Sequence, residues 1–204
     1  MPSEPHKLIM QYAMDWFTAC KPMLNSPKKC VVQVHWNAPL PGIFKLNTDG
    51  SRKSDSGAIG AGGLIRNSTG DWITGFAVNQ GVGITLEAEL WGIFWGLHLA
   101  WDIGCRYVEV ECDASSVVSL LAGPIASTHP LFSLINCCNL KMQQDWFCSL
   151  THVFREQNSV ADVLAHMSHD LAPGFHRFDL VPPCVCNSLV VDVCSLARPR
   201  VVVV

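Results

Sequence analysis

Between residues 43 and 103 the spacing of apolar side chains changes once. It goes from every second residue to every third or fourth, and a chain with that pattern is built as sheet first and helix after. Ile43–Thr48 is a short strand-like run. Gly57–Arg66 alternates Ile59, Ala61, Gly63 and Ile65, and Trp72–Asn79 is a third strand. The turn "NSTGD" between the last two, with Gly70 suited to positive φ, makes them a hairpin. From Ile84 to Ile103 the apolar positions Leu86, Leu90, Phe94, Leu97 and Trp101 keep a helical period, and Gly104 ends the helix. Strands over Tyr107–Cys112 and Trp146–Phe154 follow. Helices are predicted for "DASSVVSLLAG", for Pro130–Gln144 and for Ser159–Ser168, the last stopped before Pro173. The order predicts an α/β fold: a five-stranded mixed sheet flanked by helices, beginning as an antiparallel meander of three strands and continuing by parallel crossovers.

The predicted domain covers residues 41–173. Residues 1–40 read as an N-terminal helix, with Ile9, Met10, Ala13, Trp16 and Phe17 at helical spacing, followed by a linker carrying Pro27 and Pro39. Residues 174–204 show no clear period and end in the apolar "RVVVV". Hydrophobic residues make up 49% and charged residues 15%, enough to bury a core. A net charge of −3 argues against an all-round electrostatic grip on nucleic acid. The ten cysteines are scattered, with Cys137 and Cys138 adjacent. The first residues lack a basic region followed by an apolar run, and no stretch reaches about 18 apolar residues. An intracellular, reducing setting with free thiols and no membrane span is therefore the expectation.

Four acids stand at the ends of these elements: Asp49 after the first strand, Glu89 in the first turns of the long helix, Asp113 after the fourth strand and Asp162 in the first turn of the last helix. If the first and fourth strands are parallel neighbours, Asp49 and Asp113 emerge on one sheet edge, where open α/β sheets place ligands. Crowded carboxylates raise one another's pKa, and a hard divalent cation relieves that repulsion. Each acid also has a plainer reading. Asp49 in "TDGS" starts a turn, Asp113 caps the next helix, Asp162 closes a capping box with Ser159, and Glu89 is a solvated helix residue with Glu87 an equal alternative.

The stretches "WNAPLPGIFKLNTDGS", "GAGGLIRNSTGDWITGF", "EAELWGIFWGLHLA", "VEVECDAS" and "FREQNSVADVLA", in this order over residues 36–168, resemble the type 1 ribonuclease H family. The likeness is to its plant branch, related to the ribonuclease H domains of non-LTR retrotransposons. The resemblance implies a divalent-metal-dependent endonuclease that cleaves the RNA strand of RNA–DNA hybrids. Two Mg²⁺ ions, or Mn²⁺, would be held by Asp49, Glu89, Asp113 and Asp162 as metal-binding and catalytic residues. It selects Glu89 over Glu87. Gly50, Ser51, Arg52 and Lys53 are then placed to meet substrate phosphates. Many cellular members carry a histidine on a loop before the last acid. Here "FREQ" fills that loop, and His152 falls on the preceding strand. The alternative is a catalytically weak or inactive nucleic-acid-binding remnant of a retrotransposon. A 3′-exonuclease on the same sheet is a third reading.

Other signals are set aside. "GAIGAGGL" lacks the Lys-Ser/Thr of a phosphate loop, and its small residues read as room for a packed helix. "CVC" at Cys184–Cys186 with Cys194 lacks a fourth zinc ligand. His166 and His169 read as a solvated helix end, and Trp72, Trp91, Trp95 and Trp101 as packing.

Overall fold

The computed structural model describes residues 9–12, 14–16 and 29–203. The chain divides into two compact units. One consists of the described residues at its two ends, among which 9–12 and 14–16 are helical, as the spacing there predicts. The rest of the predicted N-terminal helix lies outside the described residues. Strand β1 (Lys29–Val34) pairs in a two-stranded sheet with the last strand of the chain, Arg198–Val203.

The larger unit, Val34–Arg198, carries the sheet. Its elements are β2 (Phe44–Arg52), β3 (Ala58–Arg66), β4 (Trp72–Val82), α1 (Thr85–Asp102), β5 (Tyr107–Cys112), α2 (Ser115–Ala122), α3 (Phe132–Met142), β6 (Phe147–His152), α4 (Ser159–Met167), β7 (Gly174–Phe178) and α5 (Cys186–Val193). The strand order is β6-β5-β2-β3-β4-β7. Pairings β2–β3, β3–β4 and β4–β7 are antiparallel, and β2–β5 and β5–β6 are parallel. The predicted mixed sheet with its meander and crossovers is therefore present.

It also has a sixth strand beyond residue 173. β7 has only five residues with half of its side chains in view, too few for a period to show. It belongs to the sheet because Phe175 packs on Phe76 and Trp95. Gly70 has φ +83° in the hairpin turn, as its sequence context requires.

The sheet buries both faces, so alternation reports only which side each residue serves. On β3, Ile59, Ala61, Gly63 and Ile65 face α1, while Gly60, Gly62 and Leu64 face α4. The main core lies on the α1 side, where Leu46, Ile65, Phe76, Leu90, Ile93, Leu97, Val108 and Val110 are buried together. Full burial of such a side chain contributes about 1.5–3 kcal/mol. A smaller core of Leu64, Val160, Ala161, Leu164 and Val185 lies on the α4 side.

On that second side, odd-numbered residues of β2 form a polar row: Lys45, Asn47, Asp49 and Ser51, each no more than 6% exposed. Trp36 Nε1 (3.1 Å) and Arg66 Nη2 (2.8 Å) both donate to Asn47 Oδ1. Asn47 Nδ2 donates to Glu111 (2.8 Å) and to Asn158 (3.3 Å). Lys45 pairs with Glu111 at 2.7 Å and Glu109 at 3.5 Å. The Arg66 guanidinium is wholly buried, stacks 3.6 Å from the Trp36 ring centre and pairs with Asp192 of α5 at 3.0 Å. This network ties the compact unit's first residues and last helix to the sheet.

Candidate active site

Asp49 does not end its strand. β2 runs on to Arg52, still paired with β3. What ends near Asp49 is the parallel ladder with β5, whose last pair is Thr48↔Cys112. Past that point the two strands part, and Asp49 on one and Asp113 just after the other face the opening. The two acids share the expected edge, but the parting of the parallel ladder puts them there, not the end of β2.

Two helices close on this opening because glycine lets them. A Cβ on Gly50 would lie 2.3 Å from the Glu89 backbone nitrogen, so α1 rests on bare backbone there. A Cβ on Gly62, directly across from Asp49, would lie 2.3 Å from the Ala165 nitrogen, which gives α4 the same approach from the other face. The small residues of "GAIGAGGL" thus admit a helix, as expected. Through these contacts Glu89 and Asp162 reach the edge that holds Asp49 and Asp113. All four acids line one cavity of about 280 Å³, with Gly50, Ser51, Arg52, Thr85, Ala114, Arg155 and His166.

The plainer readings of the acids do not hold. Asp113 caps nothing: the residue at the start of α2 is Ala114, without a side-chain cap. Asn158 begins α4, also without a side-chain cap, and Asp162 turns to Arg155 instead. Glu87 does not line the cavity, while Glu89 does. Glu89 is fixed by the Gly50 N–H, which donates to Oε2 at 3.0 Å, and by the Cys112 thiol at 3.8 Å. Ligand atoms of Glu89, Cys112 and Asp113 lie within 4.8 Å of one another.

The electrostatics are those of an uncompensated cluster. Burial pushes the Asp49 carboxyl up to about 10, helped by the charges of Glu89, Asp113 and Asp162 and by a hydrogen bond with Asp113. Burial also pushes Glu89 up to about 8, Asp113 adding to it against the Gly50 N–H. Among the described residues no ion pair reaches Asp49, Glu89 or Asp113. Asp162, a quarter exposed, pairs with Arg155 at 2.7 Å and lies 3.8 Å from His166 Nδ1. Four carboxylate groups with a backbone donor orienting one of them are hard oxygen ligands suited to Mg²⁺ or Mn²⁺.

Of the expected phosphate contacts, Gly50, Ser51 and Arg52 line the acid cavity. Lys53 lines a neighbouring one of about 600 Å³ with His166 and His169. Arg52 Nε is given to the Gly83 carbonyl (2.9 Å). Sequence reasoning passed over Arg155 and assigned His166 only to a solvated helix end. His166 is solvated, yet it faces the acids one helical turn from Asp162, a spacing that could have been noticed. His152 ends β6, with Nε2 3.2 Å from the Asp113 carbonyl. The nine described cysteines are free, and among the described residues Cys184, Cys186 and Cys194 form no metal cluster.

Residues 47–168, the segment holding all four acids, match the family described as reverse transcriptase-like. The chain belongs to that family, and its fold is that of ribonuclease H. A relative from Arabidopsis thaliana, "Putative ribonuclease H protein At1g65750", is 40% identical over 167 residues, which is 82% of this chain and 27% of the relative. The chain thus spans about a quarter of the length of that curated relative. Among solved structures, the RNase H1 of the halophilic archaeon Halobacterium salinarum NRC-1 is similar with a TM-score of 0.59 and 24% identity, over 64% of this chain and 99% of that one. The N-terminal RNase H domain of rv2228c from Mycobacterium tuberculosis, solved as a fusion with maltose-binding protein, gives 0.58 and 24%, over 63% and 94%. LC11-RNase H1, solved in complex with RNA/DNA hybrid, gives 0.55 and 22%, over 62% and 96%. In this ribonuclease H-like chain, no described helix is long and apolar enough to cross a membrane.

Proposed function

We propose that this chain is a divalent-metal-dependent endonuclease that hydrolyses the RNA strand of RNA–DNA hybrids. In this reading Asp49, Glu89, Asp113 and Asp162 hold two Mg²⁺ ions, with Mn²⁺ able to replace them. One observation carries it: four carboxylates from four elements line a single cavity, and among the described residues three of them have no ion-pair partner. Acids that serve structure are paired or solvated. Asp49 and Glu89, at 5% and 8% exposure, are neither, so the fold meets a cost that a bound cation removes.

Ions held by these four carboxylates would supply activation of a water and would offset the charge that develops on the phosphate. The chain's own part is to hold the ligands still. Glu89 is oriented by the Gly50 N–H, and Asp49 is fixed on a strand buried under two helices. Because the carboxylates must be ionised to act as ligands, Asp49 and Glu89 release their protons as metal enters, and metal binds more tightly as pH rises. Ser51 and Arg52 line both the acid cavity and the neighbouring one that Lys53 lines, so a strand that crosses the acids and continues into that space would meet them. Recognition by backbone, groove shape and 2′-hydroxyl suits a hybrid. Cleavage would leave a 5′-phosphate and a 3′-hydroxyl. The relative named as a ribonuclease H and the hybrid bound to LC11-RNase H1 support this substrate.

The test is cleavage of end-labelled hybrid in Mg²⁺ by the parent chain and by Asp49→Asn. We expect internal cuts in the RNA strand, slowed on the order of 10³-fold in the variant, equivalent to about 4 kcal/mol. No cleavage by the parent, or equal cleavage by both, overturns the proposal. Hybrid binding without cleavage at any Mg²⁺ or Mn²⁺ concentration selects the inactive-remnant reading.

A further inference from the structure

Among the described residues one arginine pairs with one of the four acids. Arg155 Nη2 lies 2.7 Å from Asp162 Oδ1, and its charge is reinforced first by Asp162 and then by Asp49 and Asp113. Its backbone is held firmly. The 3₁₀ turn Arg155–Gln157 is braced by Gln157 Nε2 donating to the His35 carbonyl (2.8 Å), by the Phe154 N–H donating to Gln157 Oε1 (3.2 Å) and by the Arg198 guanidinium donating to the Glu156 carbonyl. Its side chain, in contrast, is 66% exposed. The Arg155–Asp162 pair is also a wall between two cavities. On one side are the acids. On the other is a space of about 170 Å³ lined by Glu156, Ser159 and Arg198. The guanidinium therefore has a fixed root, one carboxylate partner and open room beside it.

We propose that Arg155 is a two-position cation: it neutralises Asp162 while the acid cavity is free of metal, and it turns to a phosphate of the nucleic-acid strand once divalent ions take that carboxylate. The inference rests on the nuclease reading of the site. Its chemistry is exchange between like partners. The guanidinium fork fits a carboxylate or a phosphate equally well. An exposed pair of this kind is weak, worth about a two- to fivefold shift in an equilibrium, so a divalent ion on the same oxygens displaces it. While in place it competes with that ion. Arg155 should thus oppose metal and favour nucleic acid, two effects of opposite sign that a mere surface ion pair would not produce.

The experiment uses the full chain and two variants, Arg155→Gln and the charge-retaining Arg155→Lys. The first measurement is thermal stabilisation against Mg²⁺ concentration, without nucleic acid. The midpoint should fall about two- to fivefold in Arg155→Gln and stay near the parent's in Arg155→Lys. The second is binding of a fluorescent RNA–DNA hybrid in Ca²⁺ at several salt concentrations. Arg155→Gln should bind a few-fold more weakly, with the logarithmic salt slope shallower by about 1. An unchanged or raised Mg²⁺ midpoint, or an unchanged salt slope, overturns the role of Arg155 and leaves the nuclease reading standing. A parent chain that neither gains stability from Mg²⁺ nor binds hybrid overturns both.

Discussion

Asn47 and Asp49 are two residues apart on β2, face the same side of the sheet and are both buried, yet their surroundings are opposite. Around Asn47, Lys45, Arg66 and Arg198 meet Glu109, Glu111 and Asp192, three cations against three anions, and all four hydrogen-bonding capacities of the Asn47 amide are used. Burial lowers the Arg66 guanidinium and raises the Asp192 carboxyl, and each partner pulls the other back toward its charged form. Around Asp49, four carboxyl groups have Arg155 and His166 only at the exposed rim. One end of the strand satisfies its charges and serves structure. The other leaves them unsatisfied, and what remains unpaid inside a protein is most simply completed from outside it.

The largest effect should come from the satisfied end. Arg66→Met leaves Asp192 buried without its main partner, and chemical denaturation should show a loss of about 3–5 kcal/mol. The double variant Arg66→Met/Asp192→Leu should recover most of it. A single variant as stable as the parent would mean that the pairing contributes little and that the contrast is not one of charge.

The unsatisfied end should respond with the opposite sign. Asp49→Asn removes a repelled carboxyl, and without metal it should stabilise the protein on the order of 1–3 kcal/mol while losing most of the stabilisation that Mg²⁺ gives the parent. A destabilised Asp49→Asn in chelator would show that Asp49 is paired after all.

The unsatisfied end should also show a pH slope. In the unfolded chain Asp49 and Glu89 lose their protons near 3.8 and 4.5, whereas in the folded chain they keep them up to about 10 and about 8. Between those limits the folded state binds more protons, so this part of its stability is complete below about 4 and is lost as pH rises through both groups, the loss through Glu89 ending near 8 and that through Asp49 near 10. Melting in chelator from pH 5 to 9 should show the decline, and saturating Mg²⁺ should flatten it. A metal-free melting temperature that climbs over this range would contradict the shifts.

Most of the fold could be read in advance because periods of two and 3.6 survive in any one sequence when the elements are long, as in β3 and α1. β7 could not: five half-exposed residues carry no period, and what fastens them is Phe175 against Phe76 and Trp95, far away in the chain. The four acids were legible as an ordered set at element ends. The network beside them was not. Lys45, Asn47 and Arg66 carry no pattern that names their partners, and Asp192 lies 126 residues from Arg66. Arg155 was hidden for a different reason, since a charged residue in a short loop gives no hint of which carboxylate it leans on.

Gly50 and Gly62 set a last consequence. With no side chain between helix and strand on either face, the separation of the acids is fixed by backbone meeting backbone, which does not compress. In the proposed metal reading the cleft is then a caliper with its jaws locked, which would gauge ionic radius as well as charge. An inserted methyl group would act as a shim, opening the bite and moving its preference toward a larger ion without altering one ligand.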